Sequence, residues 1–224
     1  MNSIPGISAD FFTNQPQDVA TTLQLLLVLT VLSLAPAILV LMTCFTRIII
    51  VLSFVRTSLS TQQMPPNQVL VGLALFLTFF VMAPVYGQIN TDAVQPYMKK
   101  EITQQQALTR AQIPIKEFMA KETREKDLQL FLDYGKYKQP KKVSAIPLTA
   151  LVPAFTISEL KTAFQMGFMI FIPFLVIDMV VASILMAMGM MMLPPVMISL
   201  PFKILLFIMV DGWYLIVESL LKSF

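Results

Sequence analysis

Histidine is absent from the 224 residues, cysteine occurs once, and glycine only seven times. Without histidine there can be no Ser/His/Asp set and no Cys/His metal site. A single thiol, Cys44, leaves no partner for an intrachain disulfide. The few glycines form no phosphate-cradling loop, so neither a catalytic constellation nor a cofactor motif is visible. Charge is scarce as well: 13% of residues carry it, where a soluble domain carries about 25%. The formal charge is +3, with basic residues interleaved among acids, which lacks the footprint of a nucleic-acid binder.

What fills the chain is hydrocarbon. Apolar residues make up 56%, and stretches 19–46, 57–91, 162–177 and 179–202 have no charge at all. A helix needs roughly 20 such residues to cross a bilayer core, so the sequence describes an integral membrane protein of the all-α class. Spans are expected at Leu23–Met42, 64–86, 162–187 and 202–221. The segment 46–59 sets Arg47 and Arg56 around an apolar run too short to cross. Between residues 92 and 142 lie 11 of the 16 basic residues and 7 of the 13 acids. There, 114–135 reads as one helix with Pro114 in its first turn and Gly135 at its end. Pairs Glu117–Lys121 and Glu122–Lys126 would support it, and Phe118, Leu128, Phe131 and Leu132 are the residues it could bury.

The organisation expected is therefore a lead-in (1–18), a first pair of apolar helices with an arginine-containing connection (19–87), a charged helical domain (88–161) and a second apolar hairpin (162–224). No lysine or arginine precedes Arg47, so the first apolar run lacks the basic flank of a signal peptide and reads as retained. The charge bias around it puts the N-terminus outside and the arginines in the cytoplasm. Four crossings would then leave the charged domain outside.

Two features call for an explanation. Asp178 interrupts an apolar helix, where an unpaired carboxylate costs about 2.5–3.5 kcal/mol, and Lys203 is its natural partner. If the two stand on antiparallel arms, the apex falls in MAMGMMMLPPVMISLP (186–201), which contains six methionines, Gly189 and three prolines. The pair could simply fix helix register, or Asp178 could serve as the ion site of a stand-alone multi-pass transporter. The methionines could likewise fill an irregular hairpin tip or form a deformable surface that opens and reseals. Asp211 and Glu218, on one face of the last helix, and Glu159 and Lys161 at the start of the third span add further charge to apolar surroundings. These helices therefore cannot all face lipid.

The stretches CFTRIIIVLSFVRTSL (44–59), MPPNQVLVGLALFLTFFVMAPV (64–85), PAFTISELKTAFQMGFMIFIPFLVIDMVVASILMAMGMMMLPPV (153–196) and ISLPFKILLFIMVDGW (198–213) resemble the FliP family of flagellar export-gate proteins. The virulence-system counterparts of that family are called SctR. The resemblance implies a pore subunit rather than an enzyme, with no cofactor, in the bacterial inner membrane at the flagellar basal body. About five copies would join in a ring with FliQ and FliR, beside FlhB and FlhA, and pass unfolded flagellar export substrates. It assigns Met186, Met188, Met190, Met191 and Met192 to a gasket closing the lumen. Glu159, Asp178 and Lys203 would be charges buried between subunits, and Phe118, Arg124 and Phe131 would make exoplasmic subunit contacts. The assembled gate is then expected to stand largely above the bilayer plane, with its apolar runs packed as helical hairpins.

Overall fold

A computed structural model describes residues 16–61, 63–140, 142–190 and 192–224, and every regular element among them is helical. Two units divide the chain, Met1–Leu39 and Val40–Phe224. Helix α1 runs Pro16–Met42, so Pro16 to Asp18 belong to it, while the rest of the expected lead-in lies outside the described residues. Proline at the first helical position gives up an N–H that has no partner there anyway. The α1 leucines from Leu23 to Leu34 that are described are exposed.

The second unit is organised around α2 (Phe45–Ser58). Cys44, Ile48, Val51, Leu52 and Val55 recur at helical spacing and are completely buried, chiefly against α7 (Leu148–Ala187) and α3 (Asn67–Ile89). The arginine segment expected as a connection is therefore a core helix. Its contact with α7 is close: any side chain at Gly167 would collide with the Phe54 ring. Phe54 also meets Phe164 edge-on at 5.4 Å.

Helix α3 does not stop where composition changes at Gln88. It passes through one π-helical turn, Asn90–Val94, into α4 (Gln95–Met98), and the whole run, Asn67–Met98, is apolar and long enough to cross a membrane. Helix α7 has 40 residues and so is about 60 Å long, roughly twice a hydrocarbon core. It begins well before residue 162 and includes Glu159 and Lys161. Both compositional boundaries, at 88 and at 161, thus fall inside helices.

The last apolar stretch is also divided. Helices α8 (Pro195–Met209) and α9 (Gly212–Lys222) meet at a 63° bend. Asp211 sits at the break in a left-handed conformation, φ 50°, and does not share a helical face with Glu218. Among the described residues, α3 with its continuation and α7 are each of span length, and the bent pair α8–α9 adds another if it counts as one.

In the charged region the single helix expected over 114–135 is two, α5 (Gln104–Glu122) and α6 (Glu125–Tyr134). Pro114 lies within α5, whose start is instead set by a capping box between Thr103 and Gln106. The break has a tertiary cause. Ser158 of α7, wholly buried, accepts from the Arg124 backbone N–H (3.1 Å) and donates to Asp127 (2.6 Å), capping α6 from outside. The break also separates Glu122 from Lys126 and frees it to bond Arg47 at 2.9 Å. Met119 is fully buried with Ile146, Leu151 and Phe155 under this region.

Arg47 ties these parts together. Only 2% exposed, its guanidinium forks onto Glu159 (0% exposed), through Nε at 3.0 Å and through Nη2. Nη2 also reaches Glu122, and Nη1 donates to the Ser223 carbonyl (2.7 Å) and hydroxyl (3.1 Å). The Phe224 ring covers the guanidinium carbon at 4.0 Å. Removing one member of a buried pair strands the other. Glu159→Gln is expected to cost about 3 kcal/mol, near the low end of that range because Glu122 remains. Thermal unfolding in detergent measures it, and a negligible loss would show that Arg47 is held by its other partners.

Asp127 offers a pH test. Burial pushes its carboxyl up, but the Ser158 hydroxyl, the Arg124 guanidinium at 2.5 Å and Lys161 outweigh burial and hold it below the usual carboxylate range. Its contribution to α6 docking is then complete above the ordinary value of about 3.9 and is lost as pH falls through the lower folded value. Asp127→Asn should speed amide exchange in 125–134 at neutral pH. The gap from wild type should close on acidification below about pH 4.

Candidate functional site

The methionine run is the turn of a hairpin between α7 and α8. Helix α7 ends with two reverse hydrogen bonds, Met190 N–H to the Leu185 carbonyl (2.9 Å) and Gly189 N–H to the Met186 carbonyl (3.0 Å). This double bond pattern needs a left-handed residue just past the helix end, and Gly189, at φ 73°, supplies it. On the far side Pro195 occupies the first position of α8, where its fixed φ suits a helix start. The glycine and the proline pair therefore make a short, defined apex of the methionine segment.

At that apex the thioethers point outward. Met186, Met188, Met190 and Met197 are exposed, and Met192 is 98% exposed; Met191 lies outside the described residues. Below the tip, Ile177, Val180, Ile184, Met188, Ile198 and Phe202 line an apolar groove of about 440 Å³ between the two arms. Methionine is unbranched and adapts to irregular neighbours. Among the described residues the methionines of the tip form an exposed apolar cluster that adjoins this groove.

Beneath the groove sits the ionic clamp. Lys203, 1% exposed, donates to Asp178 at 2.6 Å, joining α8 to α7 at the level expected from their distances to the apex. The second Asp178 oxygen accepts from the Ser199 hydroxyl at 2.5 Å. Lys203 also donates to the Ser60 hydroxyl (2.6 Å) and, more weakly, to the Ser58 carbonyl (3.2 Å), at the turn that follows α2. All three ammonium protons are thereby used. Ser199 and Ser60 escaped the sequence reading. Ser199 carried a signal, being one helical turn before Lys203 and hence on its face. Ser60, 143 positions away, carried none.

The other residues singled out lie apart from this clamp. Glu159 bonds Arg47 as described, inside the chain. Phe118 packs edge-on against Phe155 at 6.0 Å. Arg124 pairs with Asp127, and Phe131 is half-buried on α6. Arg47 and Glu122, the centre of the other ionic cluster, were also missed as functional groups. A buried acid at Glu159 implied a basic partner without indicating which.

Sequence comparison gives these features a family. The FliP family profile matches residues 28–220. The flagellar biosynthetic protein FliP of Bacillus subtilis is 69% identical over 214 residues, covering 96% of this chain and 97% of its own length. That of Pectobacterium carotovorum is 52% identical over 221 residues, 99% of this chain and 86% of the relative. That of Aquifex aeolicus is 49% identical over 205 residues, covering 91% and 86%. The chain belongs to the FliP family.

Proposed function

We propose that this chain is a pore subunit of the flagellar protein export gate and that its methionine hairpin supplies part of the seal. Relatives named flagellar biosynthetic protein FliP over nearly the full chain support the export role. The observation that carries the seal is the hairpin itself: outward-facing thioethers at a capped apex, over an apolar groove, held level by Asp178 and Lys203. Flexible thioethers give way to an unfolded polypeptide and close around it, limiting leakage of ions. The mechanism is passive and needs no catalytic group. Docking and energy coupling belong to neighbouring proteins.

Exposed apolar side chains support membrane insertion and assembly. On α3 Phe76, Phe79 and Phe80 are exposed, on α7 Phe168 and Met169, and on α8 Ile208 and Met209. Such surface is far more than a soluble monomer leaves uncovered. In this proposal about five copies form a ring with FliQ and FliR in the bacterial inner membrane, with FlhB and FlhA adjacent. Unfolded flagellar proteins are the cargo. Residues 88–161 make the exoplasmic domain, with Phe118, Arg124 and Phe131 towards neighbouring subunits, and Glu159, Asp178 and Lys203 are charges buried between subunits.

Replacing Met190, Met191 and Met192 together with Ala should leave a complex of unchanged native mass that leaks ions at rest. Unchanged conductance in the fully assembled triple mutant would remove the gasket role. Asp178→Asn separates the gate from an ion-coupled transporter. In the gate it strands Lys203 and reduces the assembled fraction on native gels. A variant that assembles normally but no longer transports would favour the transporter.

A further inference from the structure

Ser60 is held in a conformation that its own backbone disfavours. Helix α2 ends at Ser58, Leu59 caps it, and Ser60 follows at φ 58°, with its N–H bonded to the Thr57 carbonyl at 3.0 Å. Glycine is the usual residue at this place past a helix end because it has no Cβ to crowd the carbonyl. Three other described residues that are not glycine have positive φ: Lys100, Lys136 and Asp211. Each of those side chains is exposed, while Ser60 is half-buried and its hydroxyl lies 2.6 Å from Lys203 Nζ. A serine standing where glycine would serve the turn better points to a task for the side chain.

That task follows from what Lys203 joins. Its ammonium connects the two arms of the methionine hairpin through Asp178, and it connects the hairpin to the α2 core through Ser60 and the Ser58 carbonyl. The Ser58 bond is the longer of the two, so the hydroxyl is the better acceptor. Without it the arms would stay paired to each other but lose their hold on the turn.

We propose that Ser60 is a positioning residue for the methionine hairpin: its hydroxyl, presented by the left-handed turn after α2, anchors Lys203 and fixes where the two arms stand relative to the α2 core. The geometric part stands by itself. Its consequence, a seal held in register, rests on the function proposed above.

The test compares two substitutions that both tolerate the turn. Ser60→Gly keeps the backbone and removes the acceptor. Ser60→Asn also accepts positive φ and restores an acceptor oxygen. Nitroxide labels on Gln63→Cys and Val196→Cys, both exposed positions, report the distance from turn to hairpin, and the native Cys44 is fully buried. Ser60→Gly should broaden that distance distribution to roughly twice its wild-type width, and Ser60→Asn should return it to wild type. Equal widths in all three proteins would overturn the inference, as would an Asn variant as broad as the Gly variant. Should Ser60→Gly fail to accumulate, Ser60→Ala takes its place in the same comparison. Resting ion leak of the assembled unlabelled variants is measured in parallel. A broadened distribution with wild-type leak supports the positioning role and counts against the seal. A raised leak with an unchanged distribution overturns the positioning role and leaves the seal standing.

Discussion

A charge removed from water must find its opposite close by, and in a chain this apolar that requirement decides which helices meet. Arg47 is the clearest instance. Its guanidinium joins α2 to Glu122 at the end of α5, to Glu159 in the first third of α7, and to Ser223 just beyond α9. Apolar packing, including the close Phe54–Gly167 contact, sets α2 against α7 by shape, but it carries no directed bond. The Arg47 fork onto Glu159 adds that direction. The docking of α2, the place of the α5 end at Glu122 and the position of the last residues all depend on where that one guanidinium lies.

Lys203 does for the hairpin what Arg47 does for the core. Each is a buried cation on one helix whose partners come from at least two others, and each uses its donors on both carboxylate and neutral oxygens. The two clusters differ in surroundings. Around Arg47 the structure closes, with an aromatic ring on the guanidinium. Around Lys203 the apolar groove opens directly above, and Asp178 keeps 22% of its side-chain exposure. A rigid base thus lies beneath a tip rich in flexible side chains, the combination expected where a soft surface has to be presented at a fixed place.

Several elements were legible from residues alone. The all-α class follows from uncharged runs of span length, and the hairpin apex from Gly189 and the proline pair, which act through local backbone geometry. The Asp178–Lys203 pair follows from symmetry about that apex. Other elements were not. Nothing between Glu122 and Glu125 is a helix breaker, so the α5–α6 break could not be read locally; it exists because Ser158, on a distant helix, caps α6. The eight-residue run between Arg47 and Arg56 looked like a connection because it is too short to cross a bilayer, yet α7 and α3 completely bury its Ile48, Val51, Leu52 and Val55 face.

By itself, the sequence determined the helical class, the membrane character, the methionine apex and the need of Asp178 for a partner. These depend on composition and on interactions within a few residues. Tertiary structure alone decided which carboxylates meet Arg47, where α5 gives way to α6, and that Ser60 would stand beneath the hairpin. Those outcomes depend on the directions in which long helices cross. A polar side chain shows its type in the sequence, but its partner is whichever group the crossing brings within hydrogen-bond reach.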